Sequence, residues 1–167
     1  MRSLVVYESW FGNTRRIAEE IAAALAQEGE VDLVTVDEPL PPLEVVDLLV
    51  VGAPTHIHGL SSKRSREGAV DQGAAGEPGI GVRGWIDSLP DGACGPRAAA
   101  FDTRAHMPAL LVGSAARGIA RRLRDHGYRL AIEPQSFFVK GTPGPLELER
   151  ASEWGRTLAN EVMSPTA

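Results

Sequence analysis

Five short runs of apolar and β-branched residues punctuate the chain: Leu4 to Tyr7, Val31 to Val36, Asp47 to Val51, Ala98 to Phe101 and Phe137 to Val139. Runs of that length and composition predict strands. Between them the period changes. Ile17, Ala18, Ile21, Ala22 and Leu25 make one helical stripe that stops at Gly29, and Ser114 is placed to cap a second stripe of Ala116, Ile119, Ala120 and Leu123 that closes at Gly127. A last helix is predicted to open near Pro145 and to bury Leu148, Ala151, Trp154, Leu158 and Val162. Strands separated by helices imply parallel strands joined by crossovers, hence a doubly wound α/β sheet with helices on both faces. The unalternating "LLVVG" predicts a central strand covered on both sides.

One stretch departs from this rhythm. Ser61 to Gly84, "SSKRSREGAVDQGAAGEPGIGVRG", is poor in apolar residues and rich in glycine. It predicts a short helix and a surface loop inside a single domain spanning 1–167, since neither side alone has enough strands for a core. Gly79, Gly81 and Gly84 spell G-x-G-x-x-G, but "GAAGEP" stands before them where a dinucleotide fold needs a buried strand, so a loop is the better reading.

Composition narrows the classes. The 167 residues are 43% apolar and 23% charged, an ordinary globular mixture that suffices for one core. No run is long enough to span a bilayer and no basic, apolar leader follows Met1, from which a soluble, cytoplasmic protein is expected. The single Cys94, in the turn-like "DGACGP", has no partner for an internal disulfide and no histidine close by in sequence, so it reads as an incidental thiol. A net charge of −5 argues against a general nucleic-acid binder.

The chemistry concentrates at the first strand–helix junction, "YESWFGNTRRIAEEI" from Tyr7 to Ile21. The first N–H groups of a helix lack intrahelical partners and carry the positive end of its dipole, so an anion is the natural guest. Ser9 and Thr14 add hydroxyls, Gly12 admits close approach of the backbone, and Asn13 suits a turn. The Gly-Lys-Ser/Thr of a triphosphate-binding loop is missing, which points to one terminal phosphate. Arg15 and Arg16 stand where the dipole disfavours cations, a mismatch that a bound phosphate would relieve.

Val5, Val6, Tyr7, Ser9, Gly12, Thr14, Ala18 and Ile21 fill the places of a family signature, and through them the chain resembles the flavodoxins. The resemblance implies a five-stranded parallel sheet of order 2-1-3-4-5 with FMN as cofactor. It further implies that Ser9, Trp10, Phe11, Gly12, Asn13 and Thr14 hold the phosphate. "GAPTHIHG" looks like the second flavin loop, with Pro54, Thr55, His56, Ile57, His58 and Gly59, and "FDTRAHM" like the third, with Asp102, Thr103, Arg104 and His106. Neither offers the Trp or Tyr that many flavodoxins stack on the ring; Trp10 lies in the phosphate loop instead. Histidines and Arg104 around the ring would make it easier to reduce fully than in strongly acidic relatives.

His56-x-His58 can also chelate a metal, but a third ligand is wanting, and flavin contact or plain loop histidines are the better readings. Lys63, Arg64 and Arg66 could dock an acidic partner or a nicotinamide phosphate, although charge runs are usually only solvated. Three function classes follow. A small electron carrier served by reductase and acceptor proteins comes first, because the chain is short and shows no added domain. An FMN-dependent NAD(P)H:quinone reductase is the second, and a flavodoxin-like binding module that has lost its cofactor is the third.

Overall fold

In the computed structural model, residues 1–55, 59–61, 68, 71, 79–105 and 113–164 are described. They form six strands: β1 (Arg2–Tyr7), β2 (Glu30–Thr35), β3 (Leu48–Pro54), β4 (Arg97–Ala105), β5 (Gln135–Lys140) and β6 (Thr142–Pro143). Their order is β2-β1-β3-β4-β5-β6. The first five pair in parallel, as expected. The sixth, antiparallel to β5 and two residues long, was not foreseen, because so short a strand has no alternation to read.

Besides a short 3-10 helix, Leu43–Val45, four α-helices have described bounds: α1 (Asn13–Leu25), α2 (Gly81–Asp87), α3 (Ala115–Asp125) and α4 (Pro145–Met163). They cover both faces, and strand pleating explains how. Leu4 and Val6 of β1 join Leu49, Val51, Trp85, Ile86 and Ile119 in one core, while Val5 and Tyr7 join Ile17, Ile21, Leu48, Val50 and Leu158 in the other. Each fully buried Ile or Leu of the α1 stripe contributes roughly 1.5–3 kcal/mol. On the α1/α4 side, Phe101, Phe137 and Trp154 form a triangle of edge-to-face rings 6.1–6.2 Å apart. Phe101 lies directly over Gly52, where a Cβ would come within 2.0 Å of its ring.

Gly127 ends α3 with φ 85°, as its position after the stripe predicts. Gly81 opens α2 and Gly84 lies inside it, so the G-x-G-x-x-G is no strand-to-helix turn. Most of the stretch from Ser61 to Gly84, including Lys63, Arg64 and Arg66, lies outside the described residues. Cys94 is exposed and unpaired. No described helix is long and apolar enough to cross a membrane.

The register places the C-terminal ends of β1, β3, β4 and β5 along one edge. Tyr7 sits opposite Thr35 and Gly52, Pro54 opposite Thr103, and Thr103 opposite Phe137. β2 lies on one side of β1 and β3 on the other, so successive connections leave in opposite directions there. That divergence opens a crevice at the carboxyl edge.

Candidate functional site

Where β1 ends, the chain turns into α1 through Gly12, which holds the left-handed conformation (φ 81°) in front of the first helical residue. A Cβ at this position would meet nothing within 4 Å, so the backbone angle and not crowding calls for glycine. Gly12 O accepts the N–H of Arg16 at 3.1 Å. Among the described residues, no acceptor in the chain takes the N–H groups of Trp10, Phe11, Gly12, Asn13 or Thr14. Ser9 Oγ accepts the N–H of Arg15 at 3.2 Å, which leaves its own O–H free to donate. The first turn of α1 contains no acid. Arg15 reaches forward to Glu19 (2.8 Å) rather than back to the loop.

The neighbouring loops lock this turn in place. Asn13 Nδ2 donates to Gly141 O at 2.9 Å, tying it to the β5–β6 turn. Thr14 and Thr103, only 1% and 3% exposed, share a hydrogen bond of 2.8 Å between their hydroxyls. One of the two must donate to the other, so the pair retains a single O–H for a ligand. Glu8, 4% exposed, accepts Trp10 Nε1 at 2.8 Å on one carboxylate oxygen and Val82 N at 2.9 Å on the other. It fixes the indole and caps α2 in one stroke.

Asp102 does similar work on the other side. Its Oδ2 accepts from Thr55 Oγ1 (2.9 Å), Ser114 Oγ (2.7 Å) and Ala116 N (2.9 Å), while Thr55 Oγ1 takes the N–H of Ala115 (2.9 Å) and Ser114 Oγ that of Arg117 (3.3 Å). The start of α3 is thereby closed by side chains. Arg104 spans the rim, its Nη1 donating to Gly113 O at 3.3 Å and its guanidinium lying 5.1 Å from the centre of the Phe138 ring. Tyr7, beneath the loop, has its pKa raised by burial and by Glu38 and Glu19, with Arg15 opposing.

These elements enclose a cavity of about 220 Å³. Ser9, Trp10, Phe11, Asn13 and Thr14 form one wall; Pro54 and Thr55 form a second; Thr103, Arg104, Ala105 and Val139 complete it. Phe11, 60% exposed, stands at the mouth.

A family model described as "Flavodoxin domain" matches residues 4–65. Among solved structures, a flavodoxin from the domain Archaea is 22% identical, with a TM-score of 0.69, over 98% of this chain and 100% of that one. Flavodoxin 1 from Bacillus cereus is 19% identical, with a TM-score of 0.67, over 95% and 97%. A flavodoxin, WrbA-like protein from Agrobacterium tumefaciens is 19% identical, with a TM-score of 0.62, over 96% of each chain. No curated protein sequence matches. The fold is that of the flavodoxins.

On this flavodoxin fold the residues expected in the site fall into four groups. Ser9, Trp10, Phe11, Asn13, Thr14, Pro54, Thr55, Thr103 and Arg104 meet around one cavity, and Gly12 sets the turn that opens it. Asp102 faces the start of α3 and lies behind the wall. Gly59 lines a different cavity, beside α3. His56, Ile57, His58 and His106 lie outside the described residues, and with them the chelate reading of His56-x-His58. Among the described residues no group of three or more His, Cys, Asp or Glu could hold a metal. Sequence reasoning missed Glu8, Ala105, Val139 and Gly141. Of these, only Glu8 carried a signal, a carboxylate wedged between a strand and a glycine-containing turn.

Proposed function

We propose that this chain binds FMN at the carboxyl edge of β1 and β3, with its phosphate on the loop from Ser9 to Thr14, and that it serves as an electron carrier between a reductase and an acceptor protein. One observation carries the reading. Five successive N–H groups without acceptors among the described residues, with the O–H of Ser9 beside them, lie at the start of a helix whose first turn has no acid. Such a concavity suits a phosphate dianion. The cavity of about 220 Å³ is smaller than ordinary ligand pockets, which run roughly 300–1,000 Å³, and so matches the phosphate-bearing end of a mononucleotide.

FMN would supply one- and two-electron chemistry; the chain's part is to hold the phosphate and to set the charge near the ring. Arg104 at the rim is the described cation placed for the second task. Superposition on flavodoxins over nearly the whole of both chains fits the carrier reading.

The test is titration of apoprotein with FMN and with riboflavin, which has the same ring and no phosphate. Replacing Ser9 by Ala removes one charge-assisted hydrogen bond, worth roughly 1.5–3 kcal/mol, and should weaken FMN about tenfold to a hundredfold while leaving riboflavin unchanged. Equal losses for both ligands would refute the phosphate assignment. No uptake of either would favour the module without cofactor, and quinone-dependent oxidation of NADH or NADPH by the protein alone would favour the reductase.

A further inference from the structure

A second cavity of about 360 Å³ opens between α2 and α3, on the far side of the Thr55–Asp102–Ser114 cluster from the first. Arg83 of α2 and Arg117, Arg121 and Arg122 of α3 line it. Arg122 is paired with Asp87 at 2.8 Å. Arg83, Arg117 and Arg121 are exposed and, among the described residues, form no ion pair. Arg117 and Arg121 stand one helical turn apart, a like-charge spacing that weakens a helix, and among the described lining residues no acid offsets it. Gly118 lies between them, its missing side chain leaving space against Leu60: a Cβ there would already touch Leu60 Cδ1 at 3.4 Å.

We propose that this cavity is a binding site for a small, multiply charged phosphate ester or diphosphate, distinct from the flavin phosphate loop. The residue type favours phosphate. Three guanidinium forks, each offering paired N–H donors in a plane, match phosphate oxygens better than they match a single carboxylate. The volume is that of a small-molecule pocket, larger than a bare ion needs. The attraction comes from side chains on two helices, not from a helix end, because Asp102, Thr55 and Ser114 already close the start of α3. The site does not depend on FMN being the ligand of the first cavity.

The test is a titration of isotope-labelled protein with inorganic pyrophosphate, followed by amide and arginine NMR shifts. Pyrophosphate is also drawn to residues 9–14, and resolved signals separate the two places. Saturable shifts at Gly59, Arg83, Arg117 and Gly118 are expected. The double variant Arg117→Gln/Arg121→Gln should weaken them at least tenfold while the rest of the spectrum stays native. Arg124→Gln, on the same helix but outside this cavity, should leave them unchanged. Shifts confined to residues 9–14, a titration that never saturates, or equal weakening by Arg124→Gln would overturn the proposal. So would binding of an acidic peptide at this face without binding of pyrophosphate.

Discussion

Replacing Glu8 by Gln probes how the turn is held. The carboxylate is almost fully buried and accepts two N–H groups, Trp10 Nε1 at 2.8 Å and Val82 N at 2.9 Å. Gln keeps one acceptor oxygen and turns the other into an NH2 group, which then faces an N–H. One charge-assisted bond is lost and one buried donor is left without a partner, which costs roughly 1.5–3 kcal/mol. In a domain of this size each kcal/mol lowers the melting temperature by about 2–4 °C, so a fall of ~3–12 °C is expected. The indole also loosens. Trp85 and Trp154 are buried, leaving Trp10 as the quenchable one of three tryptophans. Acrylamide quenching of fluorescence should therefore rise in the variant. A melting temperature within about 1 °C of the wild type, with quenching unaltered, would refute the account of Glu8 as the clamp between loop and α2.

Thr14→Val strands the buried hydroxyl of Thr103 and should destabilise by about 1–3 kcal/mol, yet adding Thr103→Val should cost little more, giving a coupling near 1 kcal/mol in urea denaturation; additive losses would refute the shared bond. Tyr128, its pKa raised first by burial and then by the charge of Asp91, contributes stability that is complete below the ordinary tyrosine pKa near 10 and is lost as pH rises through the raised folded value. Tyr128→Phe should therefore flatten the alkaline limb of a urea-midpoint profile, with Tyr7 keeping part of it, and an unchanged slope would count against the assignment.

How far the sequence showed all this depends on what buries each residue. β1 and β3 are buried by their own apolar side chains, and both were legible as runs. β4 continues past Phe101 through Asp102 and Thr103, which are buried by hydrogen bonds to Thr55, Ser114 and Thr14. Hydropathy registers such residues as loop, so the strand was expected to end at Phe101. Glu8 escaped for the same reason, its partners lying two and 74 positions away. The loop from Ser9 to Thr14 could be read because strand, turn and helix follow one another directly. The arginine cavity could not, because Arg83 and Arg117 belong to different helices and meet only in three dimensions, whereas Lys63, Arg64 and Arg66 lie close together along the chain.

The helix beginnings, compared with one another, describe how this molecule sorts charge. α2 starts on the carboxylate of Glu8, α3 on that of Asp102, and α4 carries Glu147 in its first turn, where it takes the N–H of Phe138 at 2.8 Å. At α2 and α3 first-turn N–H groups are thereby already taken by carboxylates of the chain's own, and Glu147 in α4 is itself paired with Arg150 at 2.6 Å. Among the described helices α1 begins with no carboxylate on its first N–H groups, and it adds Arg15 and Arg16. The N–H groups at the start of α1 are left to an incoming anion, and a change from Ser9 to Asp would close that end with a charge of the chain's own.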